Sequence, residues 1–275
     1  MSSLRLLHLS DLHFGRPSVA AQIEEVENIL DRERFNAIVI SGDISQRSRE
    51  RELDRGRSFI EDAEQRAPVL VVPGNHDVAW WKCPLGIGKR EKMYERYRRY
   101  IREDLEPVVR IPGATIVGLN SAQGIQAYTL TTRPRDLSVV GALRAEQWAS
   151  AKATFDAAPA GDLKVLVFHH NLLRGDLSNR WGLASRAAGI ESAVATGAEL
   201  VLCGHDHQEA VHYIEHTKRG TIISTSGTIS NRSRGGRPSS VNIIDADATT
   251  ITVNDWEWSS KIGTFARAKW ARYTR

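Results

Sequence analysis

Aspartate, asparagine and histidine fall into five tight groups: Ser10-Asp11-Leu12-His13, Ser41-Gly42-Asp43, Pro73-Gly74-Asn75-His76-Asp77, His169-His170 and Gly204-His205-Asp206-His207. Six of the nine histidines lie in them, which random scatter does not produce. Carboxylate and amide oxygens with imidazole nitrogens, and no thiolate, suit divalent Mn, Fe, Zn, Ni or Co. The cysteines, Cys83 and Cys203, stand far apart and form no CxxC pair, which argues against a cysteine-based zinc knuckle or a disulfide framework. So many ligands exceed the needs of one four-coordinate ion. Two ions sharing a carboxylate, roughly 3.5–4 Å apart, fit better.

Something must bring these groups together. Leu4–Leu9, Asn36–Ile40, Val69–Val72, Leu163–Phe168 and Glu199–Cys203 read as strands, and each runs into one of the groups. Helices are expected at Val19–Arg32 (Ile23, Val26, Ile29 and Leu30 on one face), Arg49–Arg66, Lys89–Asp104, Ala142–Phe155 and Ser185–Thr196. Ala114–Leu119 and Leu137–Val140 add strands, and Ala210–Glu215, Gly220–Thr225, Val241–Asp245 and Thr250–Trp256 close the chain as a run of strands. Alternation of strand and helix followed by strands predicts a layered α/β sandwich, with helices covering two central sheets. In open α/β sheets ligands bind at the carboxyl ends of strands, where all five groups fall. No linker is long or Pro/Gly-rich enough to divide the chain. One domain over 1–275 is expected, with a small helical cap around 80–106 and a C-terminal strand and tail at 250–275.

Taken together, Asp11-x-His13, Gly42-Asp43, Gly74-Asn75-His76-Asp77, His169-His170 and Gly204-His205-x-His207 resemble the signature blocks of the calcineurin-like metallophosphoesterases in order and spacing. The text around Asp11 and around Asn75 is similar to the bacterial cyclic-nucleotide phosphodiesterase branch. The resemblance implies a four-layer α/β/β/α sandwich with two mixed sheets. It implies two divalent metal ions, one held by Asp11, His13 and His207, the other by Asn75, His169 and His205, with Asp43 shared. It also implies that His76 faces the scissile phosphate and protonates the leaving oxygen, and that Asp77 orients His76 by a hydrogen bond. Many relatives read His-His-Pro at the fourth block, where this chain has His169-His170-Asn171. The family ligand is usually the first histidine of the pair, so His169 is expected to be the ligand, and His170 a supporting or substrate-facing residue.

The implied substrate is a small nucleotide-type phosphodiester, with 3′,5′-cyclic nucleotides first. A nuclease, a phosphomonoesterase and a non-catalytic scaffold are the rival readings. Trp80 and Trp81 follow the third block, and one of them could stack a nucleobase. Arg232, in a Ser/Gly-rich loop, could hold phosphate. The basic residues from Lys89 to Arg102 read as a solvated helix face rather than a phosphate trap. In the C-terminal stretch Trp256, Trp258, Phe265 and Trp270 alternate with basic residues. It is expected to pack on the sheet, or on a second subunit in a dimer, rather than on nucleic acid.

Lys and Arg number 37 against 33 Asp and Glu over 275 residues, a net charge of +4 that favours an anionic substrate without declaring a nucleic-acid binder. With 41% hydrophobic residues the chain is neither disordered nor fibrous. No apolar run is long enough to span a membrane, and Leu4–Leu9 is too short for a signal peptide, so the cytoplasm is the expected compartment.

Overall fold

The computed structural model describes residues 3–126, 129, 139–173, 182–216 and 219–275. Leu- and Val-rich runs form the buried strands of two sheets. In the first, β1 (Leu4–Leu9), β2 (Ala37–Ile40) and β3 (Val69–Val71) are parallel, and β10 (Ser240–Ala246), β11 (Thr250–Ser259) and β12 (Thr264–Thr274) continue antiparallel from β1. The order is β12-β11-β10-β1-β2-β3. In the second, β5 (Ala114–Gly118), β6 (Leu163–His170), β7 (Leu200–Gly204) and β9 (Arg219–Thr225) are parallel, with β4 (Val108–Ile111) and β8 (Ala210–His216) antiparallel at the two edges.

The layers follow from period-two alternation. On β1, Leu4 and Leu6 face the second sheet, where they meet Val165, Val167, Leu200 and Leu202. Leu7 and Leu9 face outward into a core with Ile23, Val26 and Ile29 of α1 (Ala20–Arg32) and Leu53, Phe59 and Ile60 of α2 (Glu50–Glu64). On β6, Leu166 and Phe168 face outward to α4 (Ala145–Asp156) and α5 (Arg186–Ala195) through Ala151, Phe155 and Ala193. The result is helix, sheet, sheet, helix, as expected. Each of these large side chains contributes roughly 1.5–3 kcal/mol on full burial. No helix among the described residues is long and apolar enough to cross a membrane.

Four details differ from the sequence reading. The 80–106 stretch is less helical than expected: two short 3-10 turns (Trp80–Lys82 and Pro84–Gly86) precede α3 (Glu91–Tyr100). α3 buries Met93, Tyr94 and Tyr97, and Tyr97 joins the core beside α2. Edge strand β4 was not anticipated. The C-terminal stretch forms a full hairpin, β11–β12, paired on the first sheet. Of the expected strand Leu137–Val140, Leu137 and Ser138 lie outside the described residues, and Val139 and Val140 are irregular backbone.

Candidate metal centre

The five groups converge at one end of the sandwich. The first sheet delivers Asp11 and His13 after β1, Asp43 after β2, and Asn75, His76 and Asp77 after β3. The second delivers His169 and His170 at the end of β6, and His205 and His207 after β7. Asp11, His13, Asp43, His205 and His207 all have left-handed backbone, with φ between 48° and 73°. Each such residue costs about 1–2 kcal/mol, and the tertiary frame holds them there. The frame is tight. A Cβ on Gly74 would lie 2.1 Å from Asp43 Oδ1, and one on Gly204 would lie 1.7 Å from Ser10 Oγ.

Asp11 Oδ1 lies 3.0 Å from His207 Nε2 and 3.6 Å from His13 Nε2, and the two Nε2 atoms are 3.0 Å apart. Across the site, His205 Nδ1 is 3.2 Å from His169 Nε2 and 3.1 Å from Asn75 Oδ1. Asp43 Oδ2 stands between the sets, 3.3 Å from His169 Nε2 and 3.8 Å from His13 Nε2. Backbone carbonyls fix two of the rings. His169 Nδ1–H donates to the Ser41 carbonyl at 2.8 Å, and His207 Nδ1–H donates to the Arg232 carbonyl at 3.0 Å. Both rings therefore turn an Nε2 lone pair inward.

The donor set consists of lone pairs facing lone pairs. Asp11 Oδ1 is buried and meets no hydrogen-bond donor. Acceptors at about 3 Å from one another repel unless a proton or a cation sits among them, and imidazole with carboxylate suits a divalent transition ion. Without a metal, protons take that part. Burial disfavours charge on His169, but the Asp43 carboxylate overrides it and pushes the ring up to about 9. His13 is brought down to about 4 by burial, against the pull of Asp11. Burial acts to raise Asp11 and Asp43, yet the charge of His207 beside the first and His169 beside the second holds both well below the usual carboxylate range.

The family model described as calcineurin-like phosphoesterase matches residues 4–209. The chain belongs to that family. No curated protein sequence matches it. Among solved structures, a purple acid phosphatase from yellow lupin (Lupinus luteus) seeds is similar at a TM-score of 0.68 and 12% identity, over 100% of this chain and 54% of its own. The chain therefore spans about half the length of the lupin protein. GAP50, the anchor in the inner membrane complex of Plasmodium, is similar at 0.60 and 14% identity, over 99% of this chain and 89% of its own. Vacuolar protein sorting 29 from Cryptosporidium parvum is similar at 0.50 and 12%, over 99% of both chains. At these identities the likeness is one of fold.

Around this centre, the remaining expected residues separate. His76 Nδ1–H donates to the Gln46 carbonyl at 2.6 Å, and its Nε2 lies 3.4 Å from Arg232 Nη1. Asp77 does not orient His76 by a direct hydrogen bond, contrary to expectation. Its carboxylate instead accepts from the Ile44 and Ser45 amides, the Ser45 hydroxyl and the Gly74 amide. It pins the loop after β2, and that loop supplies Gln46. Burial and the Asp43 charge push Asp77 up to about 7. Four donors select its ionised form, and cations beside Asp43 would relieve the repulsion.

His170 packs beside His169, the ring centroids 4.9 Å apart, and offers a nitrogen within 4.8 Å of those of His169 and His205. Its Nδ1 lies 2.8 Å from Ser121 Oγ, while its Nε2 is buried without a partner and its ring packs 4.7 Å from that of His205. Trp80 is half-buried and meets Trp81 edge to face at 5.8 Å. Both line a cavity of about 620 Å³ whose wall also includes Asn75, His76 and Arg232. The sequence reading missed Gln46, the Ser41 carbonyl and Ser121. It also missed a second acidic cluster beginning two residues beyond His207: Glu209, Asp255 and Glu257.

Proposed function

We propose that this protein is a dinuclear-metal phosphodiesterase acting on small nucleotide-type phosphodiesters, with 3′,5′-cyclic nucleotides as the first substrates to test. Asp11, His13 and His207 would hold one ion, and Asn75, His169 and His205 the other. The observation that carries the reading is the place of Asp43 Oδ2 between the two sets, within 4 Å of a ring nitrogen in each. When bound, the pair of ions supplies an activated water at neutral pH and offsets charge on the phosphoryl oxygens.

The chain's own residues do the rest. The Gln46 carbonyl holds the Nδ1–H of His76, so Nε2 faces the cavity as the atom that takes up a second proton and hands it to the leaving oxygen. Arg232 beside it can donate to a non-bridging phosphoryl oxygen. Asp77, by fixing the loop after β2, keeps Asp43 and Gln46 in register. The GAP50 likeness shows that the same fold also serves in an anchor, but in this chain every ligand position is filled. The test is to strip the protein with chelator and add back Mn, Fe, Zn, Ni or Co. Hydrolysis of bis(p-nitrophenyl) phosphate should vanish and return, with two equivalents of metal per chain. Turnover indifferent to metal, or no loading, sinks the reading. Faster turnover of p-nitrophenyl phosphate would make the protein a monoesterase.

A further inference from the structure

The cavity of about 620 Å³ opens from Asn75 and His76, and four guanidinium groups line it: Arg47, Arg49, Arg96 and Arg232. Among the described residues no carboxylate lines it. Two of the four are held by neutral acceptors. Arg232 Nη1 donates to Gln46 Oε1 at 3.0 Å, and Arg96 Nη1 donates to the Ser48 carbonyl at 2.9 Å. Elsewhere arginines are balanced by acids, as Arg237 is by Glu209 and Arg102 by Glu64. Among the described residues none of the four guanidinium groups is ion-paired, although the Glu52 carboxylate accepts from the main-chain amides of Arg47 and Arg49. Neutral anchors fix a guanidinium in space and leave its full charge for a ligand.

A 3′,5′-cyclic nucleotide carries one negative charge, and Arg232 beside His76 is enough to clamp its phosphate. That leaves Arg47 and Arg49 from the loop after β2, and Arg96 from α3, without an anion to meet. We infer that the preferred substrate is a linear nucleotide with a second phosphate flanking the scissile one. The scissile phosphate sits at His76 and Arg232, the flanking phosphate at Arg49 and Arg96, and a base against Trp80 or Trp81. Water attacks phosphorus, the new P–O bond forms as the scissile P–O bond breaks, the leaving oxygen takes a proton from the protonated His76, and the proton released by the attacking water passes to solvent, from which His76 is recharged. The inference rests on the hydrolytic reading above and narrows its substrate.

The test uses the full-length, metal-loaded protein and compares kcat/KM for pApA (the 5′-phosphorylated dinucleotide), ApA, 3′,5′-cyclic AMP and diadenosine tetraphosphate. A substrate with a flanking phosphate should exceed both ApA and cyclic AMP by about tenfold or more. Arg49→Ala with Arg96→Ala should bring that ratio to within about twofold, mainly through KM. A preference for pApA over the tetraphosphate places the flanking phosphate in a nucleic-acid backbone, and the reverse places it in an anhydride chain. Turnover of both pApA and the tetraphosphate no faster than that of ApA, or cyclic AMP as the fastest substrate, overturns the inference. The hydrolytic reading fails separately, if no metal supports turnover of bis(p-nitrophenyl) phosphate.

Discussion

Two clusters that contain buried acids lie near one another in sequence, and they are balanced in opposite ways. In the first, Asp11 and Asp43 face imidazole lone pairs and no fixed cation. In the second, Glu209 and Glu257 flank Asp255 and have cations of their own: Lys269 bonds Glu209 and lies 3.3 Å from Glu257, and Arg237 lies 3.3 Å from Glu209. Proximity of carboxylates is therefore a poor guide to metal binding. What distinguishes the first cluster is that its neighbours are imidazoles, which can give up a proton and turn a lone pair on a cation, two of them oriented by carbonyls behind them. A foreign cation completes the first cluster, whereas in the second it would have to displace a lysine.

Substitution gives the largest test of that contrast. Asp43→Ala should cost more than the 10- to 100-fold typical of residues that merely support a metal ligand, and should abolish metal-dependent hydrolysis. Glu257→Ala should change kcat/KM by less than about threefold. Comparable losses in the two variants, assayed on one chromogenic diester, would erase the distinction.

Metal affinity should depend on pH through the first cluster alone. His169 is raised to about 9 by Asp43, so in the metal-free protein it carries a proton that a cation must expel. A raised folded-state pKa contributes stability that is present below 6.5 and lost as pH rises through about 9, and binding runs the other way. Affinity measured by chelator competition should therefore climb from pH 6.5 to 8.5, by about tenfold per unit for one proton released. A flat profile contradicts a protonated His169.

The smallest effect belongs to the second cluster. Burial, then Glu209 and Glu257, push Asp255 up from 3.8 to about 7. Its folded form binds a proton more tightly than the unfolded chain, so the associated stability is present below 3.8 and lost as pH rises through about 7. Asp255→Asn should raise Tm by about 2–4 °C at pH 8 and by less at pH 5. A variant less stable than the parent at pH 8 would mean that the Asp255 charge is needed beside Lys269.

Much of this was legible because ligand types and strand patterns are both properties of side chains. The runs ending at Asp11, Asp43, Asn75, His169 and His205 became five neighbouring strands, with bounds shifted by a residue or two. What was not legible lies in the backbone and in half-exposed edges. The Ser41 carbonyl that turns His169 and the Gln46 carbonyl that holds His76 leave no mark on residue type. Strand β4 is only Val108–Ile111, alternately exposed at an edge, with an arginine in it. Strand β12 mixes Ala, Arg and Lys with aromatics and is exposed along most of its middle, so it read as a tail. Asp77 was read by its chain neighbour His76, whereas tertiary packing turned its carboxylate toward the loop after β2.

The left-handed conformations at Asp11, His13, Asp43, His205 and His207 set robustness against chemistry in the history of such a chain. Glycine at any of the five would relax the main chain and remove a ligand in the same step. A lineage freed from the need for turnover could thus grow sturdier by the very changes that disarm it. An inert descendant is a downhill neighbour of the working molecule, and only continued use keeps the five side chains in place.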